Sequence, residues 1–505
     1  MERKRVGHVI CEEASPSQSA FSFVVTTEDE IPIRQGHFVE VEAEEGRMIG
    51  MVVNLFKTNR YFMRAEAVKA YGEGLPTVYP TNKWEYLVAQ VRVLGVLNGS
   101  GLDRASYPPS PGEPVYRLDG EELSSFLGFS STGLEIGELK HHDLPVKLDL
   151  TRLFQKHVAI LAMSGAGKSF CARTIIEQLL KRKAELGRPA AIVVDVHGEY
   201  VDLAEVPEYA GKVSVIQGNK MKIGVPDLNA RNFLEFVPDM SEMQARELQQ
   251  VINELRKEMK ENNRPYGLTE LMARVQEAGM NANTKAALLA WLSDLQSLGI
   301  FGSFDDPAVE ILLSPGSLVV LNFKPLVSLR KKQILVTHIV RKLFELRKEG
   351  CIPPFILFLE EAHQFAPSDE RAISKSAIEM LAREGRKFSA SLVVISQRPV
   401  RLSTTVLSQA GTNIILRMTN PYDLDHIRKS SEAITSEVAD TISSLPVGEA
   451  LIVGEAVNFP IFVRIRKPEH PPKAFLSLEE IAKKYERGET ITPDFPVAEE
   501  STVQD

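Results

Sequence analysis

Residues 162–169 read Ala-Met-Ser-Gly-Ala-Gly-Lys-Ser, directly after the apolar run HVAILAM (157–163) and directly before a stretch in which Ile175, Ile176 and Leu179 recur at helical spacing. Strand, glycine-rich loop and helix in this order constrain the chain more than any other feature, because they commit it to a parallel sheet covered by helices. In such a loop the glycines let backbone N–H groups turn inward around phosphates, and the helix amino terminus adds a positive dipole end. Lys168 then reaches the β and γ phosphates and Ser169 holds Mg²⁺. The nucleotide-binding segment is thus Ser164, Gly165, Ala166, Gly167, Lys168, Ser169 and Phe170, with ATP and Mg²⁺ as cofactors. The pattern GxxxxGK[ST] begins with glycine where this chain has Ala162, but Gly165, Gly167, Lys168 and Ser169 keep the mechanism.

The rest of the chain is organised around this loop. Its 505 residues are several times a typical domain of about 150, so two or three units are expected. Residues 1–145 read as a small β-barrel or sandwich: Val39, Val41 and Ala43 alternate with Glu40, Glu42 and Glu44 as a hairpin strand with one wet face, and LVAQVRVLGVL (87–97) alternates likewise. Residues 146–467 read as an α/β core. Its apolar runs AAIVVDV (190–196), SLVVLNF (317–323), FILFLEE (355–361), SLVVISQ (391–397) and NIILRM (413–418) alternate with helical stretches. A helical insertion is expected at about 240–300, where Ser241 and Gln244 form a capping box and Leu248, Ile252, Leu255 and Met259 recur at helical spacing. Residues 468–505 read as an extension with one helix near 477–486 and a mobile acidic tail.

A P-loop needs an acidic partner at the end of a neighbouring strand, and FILFLEEAHQF supplies Glu360 and Glu361. One carboxylate orients Mg²⁺ through water and the other polarises the attacking water, which points to hydrolysis. Glu360 suits the metal and Glu361 the water, although spacing alone leaves open which is the base. Asp195, in DVHGEY, is placed either near the metal and water or as a turn cap. Gln397, ending its strand, either senses the γ-phosphate or is a polar strand end. Arg383 and Arg386 flank Gly385, a helix stop; Arg386 is either a partner for the helix dipole or an arginine finger in a neighbouring subunit's site. In the long loop 364–377, Arg371 and Lys375 are candidates for touching phosphates in a ring's central channel, against the reading of a solvated face.

Composition narrows the function classes. Lys plus Arg number 59 against 67 Asp plus Glu, a net −8, so contact with nucleic acid has to be local. Three scattered cysteines give no disulfide framework or zinc motif, and no apolar run reaches membrane-spanning length, so the expected setting is cytoplasmic with no membrane.

The P-loop AMSGAGKS, then DVHGEY, LEEAHQF and EGRKF, in this order behind a β-rich amino-terminal region, resemble the archaeal HerA family of hexameric DNA motors over nearly the whole chain. The combination carries the likeness, since the P-loop alone is generic; Val196 stands where the family usually has proline. The resemblance implies an α/β, RecA-like P-loop ATPase core with a helical insertion, preceded by a HAS-barrel and followed by a ring-bracing extension. It implies Lys168 and Ser169 on phosphate and Mg²⁺, Glu361 as catalytic glutamate and Arg386 as trans arginine finger. More weakly, it places Lys156, Arg466 and Lys467 near the nucleotide. It also implies a homo-hexameric, ATP-dependent double-stranded DNA translocase or helicase, working with a NurA-type nuclease in end resection for recombinational repair. The alternatives are an ATP-driven polypeptide pump of the type IV secretion class and an ATP-dependent scaffold that activates a nuclease.

Overall fold

Alternating strands in the first third of the chain close on themselves, and the long apolar runs behind them stack into a second, larger sheet. The structure, a computed structural model, describes residues 3–11, 15–26, 33–59, 62, 69, 84–98, 101–430, 434, 436–472 and 478–487. The acidic tail expected beyond 487 lies outside the described residues. Two units are present: residues 1–131, 137–147 and 457–464, and residues 132–136, 148–456 and 465–505.

In the first unit, β1 (Arg5–Ile10), β2 (Ala20–Val25), β3 (Phe38–Ala43), β4 (Gly46–Asn59), β5 (Glu85–Asn98), β6 (Gly101–Asp103) and β7 (Pro114–Arg117) run in the order β2-β1-β7-β3-β4-β5-β6. A further β2–β5 pairing closes six of them into an antiparallel barrel, which removes exposed edges. Val39, Val41, Phe21, Phe23 and Val91 fill the barrel core. At the β3–β4 hairpin Gly46 has φ +132 and a Cβ there would meet the Leu97 carbonyl at 2.6 Å, so glycine is required. The expected wet face of β3 is only partly wet. Glu40 is buried, with Arg3 at 3.3 Å and Arg47 at 3.1 Å covering it; burial raises its carboxyl above the usual range and the two arginines oppose that.

Two strands, β8 (Leu134–Leu139) and β9 (Pro145–Leu148), follow in the chain. The second unit holds β10 (Val158–Leu161), β11 (Ala190–Asp195), β12 (Val213–Gln217), the two-residue strands β13 (Ile223–Gly224) and β14 (Phe301–Gly302), and β15 (Leu318–Asn322). Then come β16 (Phe355–Leu359), β17 (Ala390–Ser396), β18 (Thr412–Leu416) and β19 (Glu449–Gly454). Its sheet runs β12-β15-β11-β16-β17-β10-β18-β19, parallel except for β19. Each apolar run expected as a strand is one. β12 and β19 go unread in the sequence because VSVIQ is a half-exposed edge strand and EALIVG opens on a glutamate. Between β13 and β14 lie the inserted helices Glu242–Asn262, Leu268–Glu277 and Ala282–Ser297, the first with the Ser241–Gln244 capping box and with Leu248, Ile252 and Leu255 buried.

Parallel strands bring every following loop to one edge of the sheet, where ligands of such folds bind. Leu357, at the middle of β16 and 1% exposed, pairs with Ile192 on β11 and Leu392 on β17 beneath that edge. Leu357→Ala is expected to cost about 2–5 kcal/mol, read as a lower urea midpoint of the full chain.

Candidate active site

The phosphate-binding loop follows β10 directly. Gly165 (φ 76) and Gly167 (φ 102) adopt left-handed backbone that other residues resist, and Gly167 starts the helix Lys168–Lys181. Ala162, in place of the first glycine, is buried and its N–H donates to the Ser396 carbonyl at 3.2 Å, so the side chain sits at the strand end without disturbing the loop. Ser164, Gly165 and Phe170 are exposed, Gly167, Lys168 and Ser169 half-buried, and Ala166 buried.

The acidic strand is not the neighbour of the P-loop strand that the sequence suggested: β17 lies between β10 and β16. The carboxylate nonetheless reaches the loop. Glu361 adopts φ 46 just past β16, and its Oε1 stands 3.2 Å from Lys168 Nζ. Gln397, at the end of the intervening β17, donates from Nε2 to Glu361 Oε2 at 3.2 Å. Glu360 faces elsewhere, accepting from the Tyr200 hydroxyl at 3.1 Å, and its Oε2 is buried without a hydrogen-bond partner.

Asp195 takes the turn-cap position. Its Oδ1 accepts the N–H groups of His197 (3.2 Å), Gly198 (2.6 Å) and Glu199 (3.0 Å), and its Oδ2 that of Tyr200 (3.0 Å). Asp195 therefore shapes the loop that carries Tyr200 to Glu360. Arg173, fully buried on the P-loop helix, fixes the same loop by pairing with Asp202 and donating to the Glu199 carbonyl.

Electrostatics separates the two adjacent glutamates. Burial alone would raise both. Around Glu361, His197, Lys168 and His363 overcome burial and hold its carboxyl down at about 2, so it stays ionised. Around Glu360, burial is reinforced by the charges of Asp195 and Glu199, and its carboxyl is pushed well above the usual range. Ionised Glu361 stabilises the folded chain above the unfolded carboxyl value of about 4.3, and that contribution is lost as pH falls toward 2; Glu360 acts with the opposite sign, costing stability as pH rises. Urea midpoints between pH 3 and pH 7 are expected to rise less steeply in Glu361→Gln than in the wild type.

Two histidines escaped the sequence reading. His197 Nε2 is 3.9 Å from Glu361 Oε1, while His363 Nδ1 is 3.4 Å from Oε2 and 3.2 Å from Ser396 Oγ. The available signal was their position, each two residues after an acid at a strand end.

Of the other candidates, Lys156 and Arg386 stand away from the loop, whereas Arg466 follows Ile465, whose N–H donates to the Gly448 carbonyl, and the Gly448 N–H donates to the Ala166 carbonyl of the loop at 3.3 Å. Lys156 precedes β10, at the opposite edge of the sheet from the P-loop, and pairs with Glu455. Arg386 lies in the turn Gly385–Phe388 before β17, also at that opposite edge, and its side chain is exposed. Arg466 pairs with Glu135 and Glu469, in a segment held to the P-loop helix by Thr174 and Glu177; Lys467 is exposed. Arg371 is exposed and Lys375 donates to the Ser368 carbonyl at 2.8 Å.

A P-loop between a buried strand and a helix, with an acidic strand one removed and a polar residue ending the strand between, defines a RecA-like P-loop ATPase. Within that class, residues 134–343 match the family model described as "Helicase HerA, central domain". Similarity extends well beyond those residues. The chain is 28% identical over 458 residues to a probable helicase of Methanocaldococcus jannaschii, covering 86% of each. It is also 28% identical over 509 residues to the DNA double-strand break repair helicase HerA of Pyrococcus furiosus, covering 89% of this chain and 88% of that one. Among solved structures, VirB4 of Thermoanaerobacter pseudethanolicus shares the fold, with a TM-score of 0.54 at 18% identity over 70% of this chain and 99% of that one.

Proposed function

We propose that this chain is an ATP-driven translocase or helicase on double-stranded DNA, acting as a ring of six copies with a NurA-type nuclease in DNA end resection. The observation that carries the reading is Glu361, ionised and buried, held between Lys168 and Gln397 at the edge where the P-loop opens. Such a carboxylate is a base for the attacking water, and Lys168 supplies positive charge to the transferred phosphoryl group.

Mg²⁺ fits the residues present. Ser169 opens the P-loop helix, Glu360 keeps one buried oxygen unpartnered, and a metal carried mostly by phosphate and water needs no protein cage. Ser169 and, through water, Glu360 would hold the ion, which neutralises charge developing on the phosphates. Lys168 leaves Glu361 for the γ-phosphate, Gln397 keeps the freed carboxylate oriented, and Asp195 holds the loop bearing Tyr200. Arg386, on the far edge of its own sheet, serves a neighbouring copy. DNA polarity of sign, positive surface in the channel, falls to Arg371 and Lys375 in this reading.

The name of the Pyrococcus relative, a double-strand break repair helicase, supports DNA as the track, and the barrel is the nuclease-docking surface in this reading. Among the described residues no helix is long and apolar enough to cross a membrane. The test is the ATPase rate with and without linear double-stranded DNA. Stimulation by DNA is expected; an active ATPase indifferent to DNA would move the function to a polypeptide pump or a nuclease scaffold.

A further inference from the structure

A cleft of about 270 Å³ opens in the first unit, and it owes nothing to the P-loop. His37, His141 and His142 line it together with Arg117. His37 is fully satisfied: its Nδ1 accepts the Arg34 N–H at 3.1 Å, which leaves Nε2 to donate to the His141 carbonyl at 3.0 Å. Burial, with His142 and Arg117 alongside, pushes its ring down to about 4, so it is a neutral strut.

His142 is different. Its side chain is 1% exposed, its Nδ1 is engaged by Asp119 Oδ1 at 2.8 Å, and its Nε2 is buried without a partner. An unpartnered buried polar nitrogen is costly, and with Nδ1 held on a carboxylate, Nε2 is the ring atom left to meet a ligand. Arg117, its side chain 10% exposed, is paired with the same Asp119 at 2.7 Å. The exposed Arg34 and Arg464, with Lys140, add positive charge to the lining, against the exposed carboxylates of Glu138 and Asp143.

We infer that this cleft is a binding site for a phosphate group, with His142 and Arg117 as its buried partners and Arg34 as an exposed one. The lining favours an anion over a cation, since four of its side chains are arginine or lysine, and among the described residues no metal-ligating group of three forms. Phosphate suits it better than a single carboxylate because tetrahedral oxygens accept from an imidazole and guanidinium groups at once. The volume takes one phosphate with its nearest waters, or the terminal phosphate of a larger molecule.

The test is equilibrium dialysis of the full chain against radiolabelled inorganic phosphate, with the P-loop filled by Mg²⁺ and a non-hydrolysable ATP analogue. Saturable uptake of one phosphate per chain is expected, weakened about tenfold or more by His142→Gln and by Arg34→Gln, since each substitution removes one hydrogen bond to the phosphate. Arg34 is exposed, so its replacement keeps the test valid if the His142 variant fails to fold. Displacement by a DNA duplex bearing a 5′-phosphate, but not by the same duplex without one, supports the site with a DNA end as the source; displacement by neither supports it with free phosphate. No saturable uptake, uptake unchanged in both variants, or equal displacement by both duplexes overturns it. Occupancy of the P-loop is read separately from the analogue, so a failure of the ATPase reading is distinguishable from a failure here.

Discussion

Arg386→Ala is expected to lower the ATPase rate by about 10³–10⁵-fold, the range found for arginine fingers, while the chain's fold and urea midpoint stay close to wild type. The stability expectation follows from its place: an exposed side chain in a short turn with no salt bridge among the described residues. The catalytic expectation follows from topology. Arg386 precedes β17, whose seven residues run parallel to β10 and deliver Gln397 to the P-loop edge. At about 3.3 Å per residue the strand alone separates the two ends by about 20 Å, well beyond an arginine's reach. Arg386 cannot serve its own nucleotide, so any catalytic work it does is on a neighbouring copy. Mixing Arg386→Ala with Glu361→Gln tests this directly, because a site owned by the first variant and served by the second has every part. At equal random mixing about a quarter of the shared sites are complete in a cyclic ring. Recovered activity on mixing is the expected result; two inactive variants that stay inactive together would remove Arg386 from the neighbour's site. Arg386→Lys should rescue poorly, since an ammonium lacks the planar fork.

What the sequence disclosed about this site follows from how local each feature is. Gly165, Gly167, Lys168 and Ser169 act within one turn of chain, so their spacing carries their geometry. The acid pair was legible because a buried strand ended on it. Its division of labour was not, because that depends on side chains remote in sequence: Tyr200 and Asp195 beside Glu360, Lys168 and Gln397 around Glu361. Strand order was equally hidden. Nothing in FILFLEE or SLVVISQ says that the second strand inserts between the first and the P-loop, yet that insertion is what brings Gln397 to Glu361. Alternation along β3 gave the barrel's inner face correctly, but its outer face depended on Arg3 and Arg47, which fold over Glu40 from elsewhere in the chain. Lys156 shows the same limit in reverse. It is close to the P-loop in sequence and on the far edge of the sheet in space.

Glu361→Gln is expected to reduce ATP hydrolysis by about 10²–10⁴-fold, the usual worth of a general base, with ATP binding retained or tightened. The amide keeps the shape and still has an oxygen for Gln397 Nε2, but it neither takes a proton from water nor carries charge. Two consequences follow at the same position. Lys168, which pairs with Glu361 at 3.2 Å, loses its competing partner, so its ammonium is freer to meet the γ-phosphate. His363, whose ring burial pushes below the usual range, loses the carboxylate that opposes that burial. Glu360→Gln should behave differently. Its carboxyl is already held toward the neutral form by burial and by Asp195 and Glu199, so the amide changes little in the absence of Mg²⁺ and the loss should appear as weaker Mg²⁺ dependence of nucleotide binding. A fluorescent ATP analogue titrated with and without Mg²⁺, beside single-turnover hydrolysis, separates the two. Hydrolysis surviving in Glu361→Gln but lost in Glu360→Gln would reverse the assignment of base and metal partner.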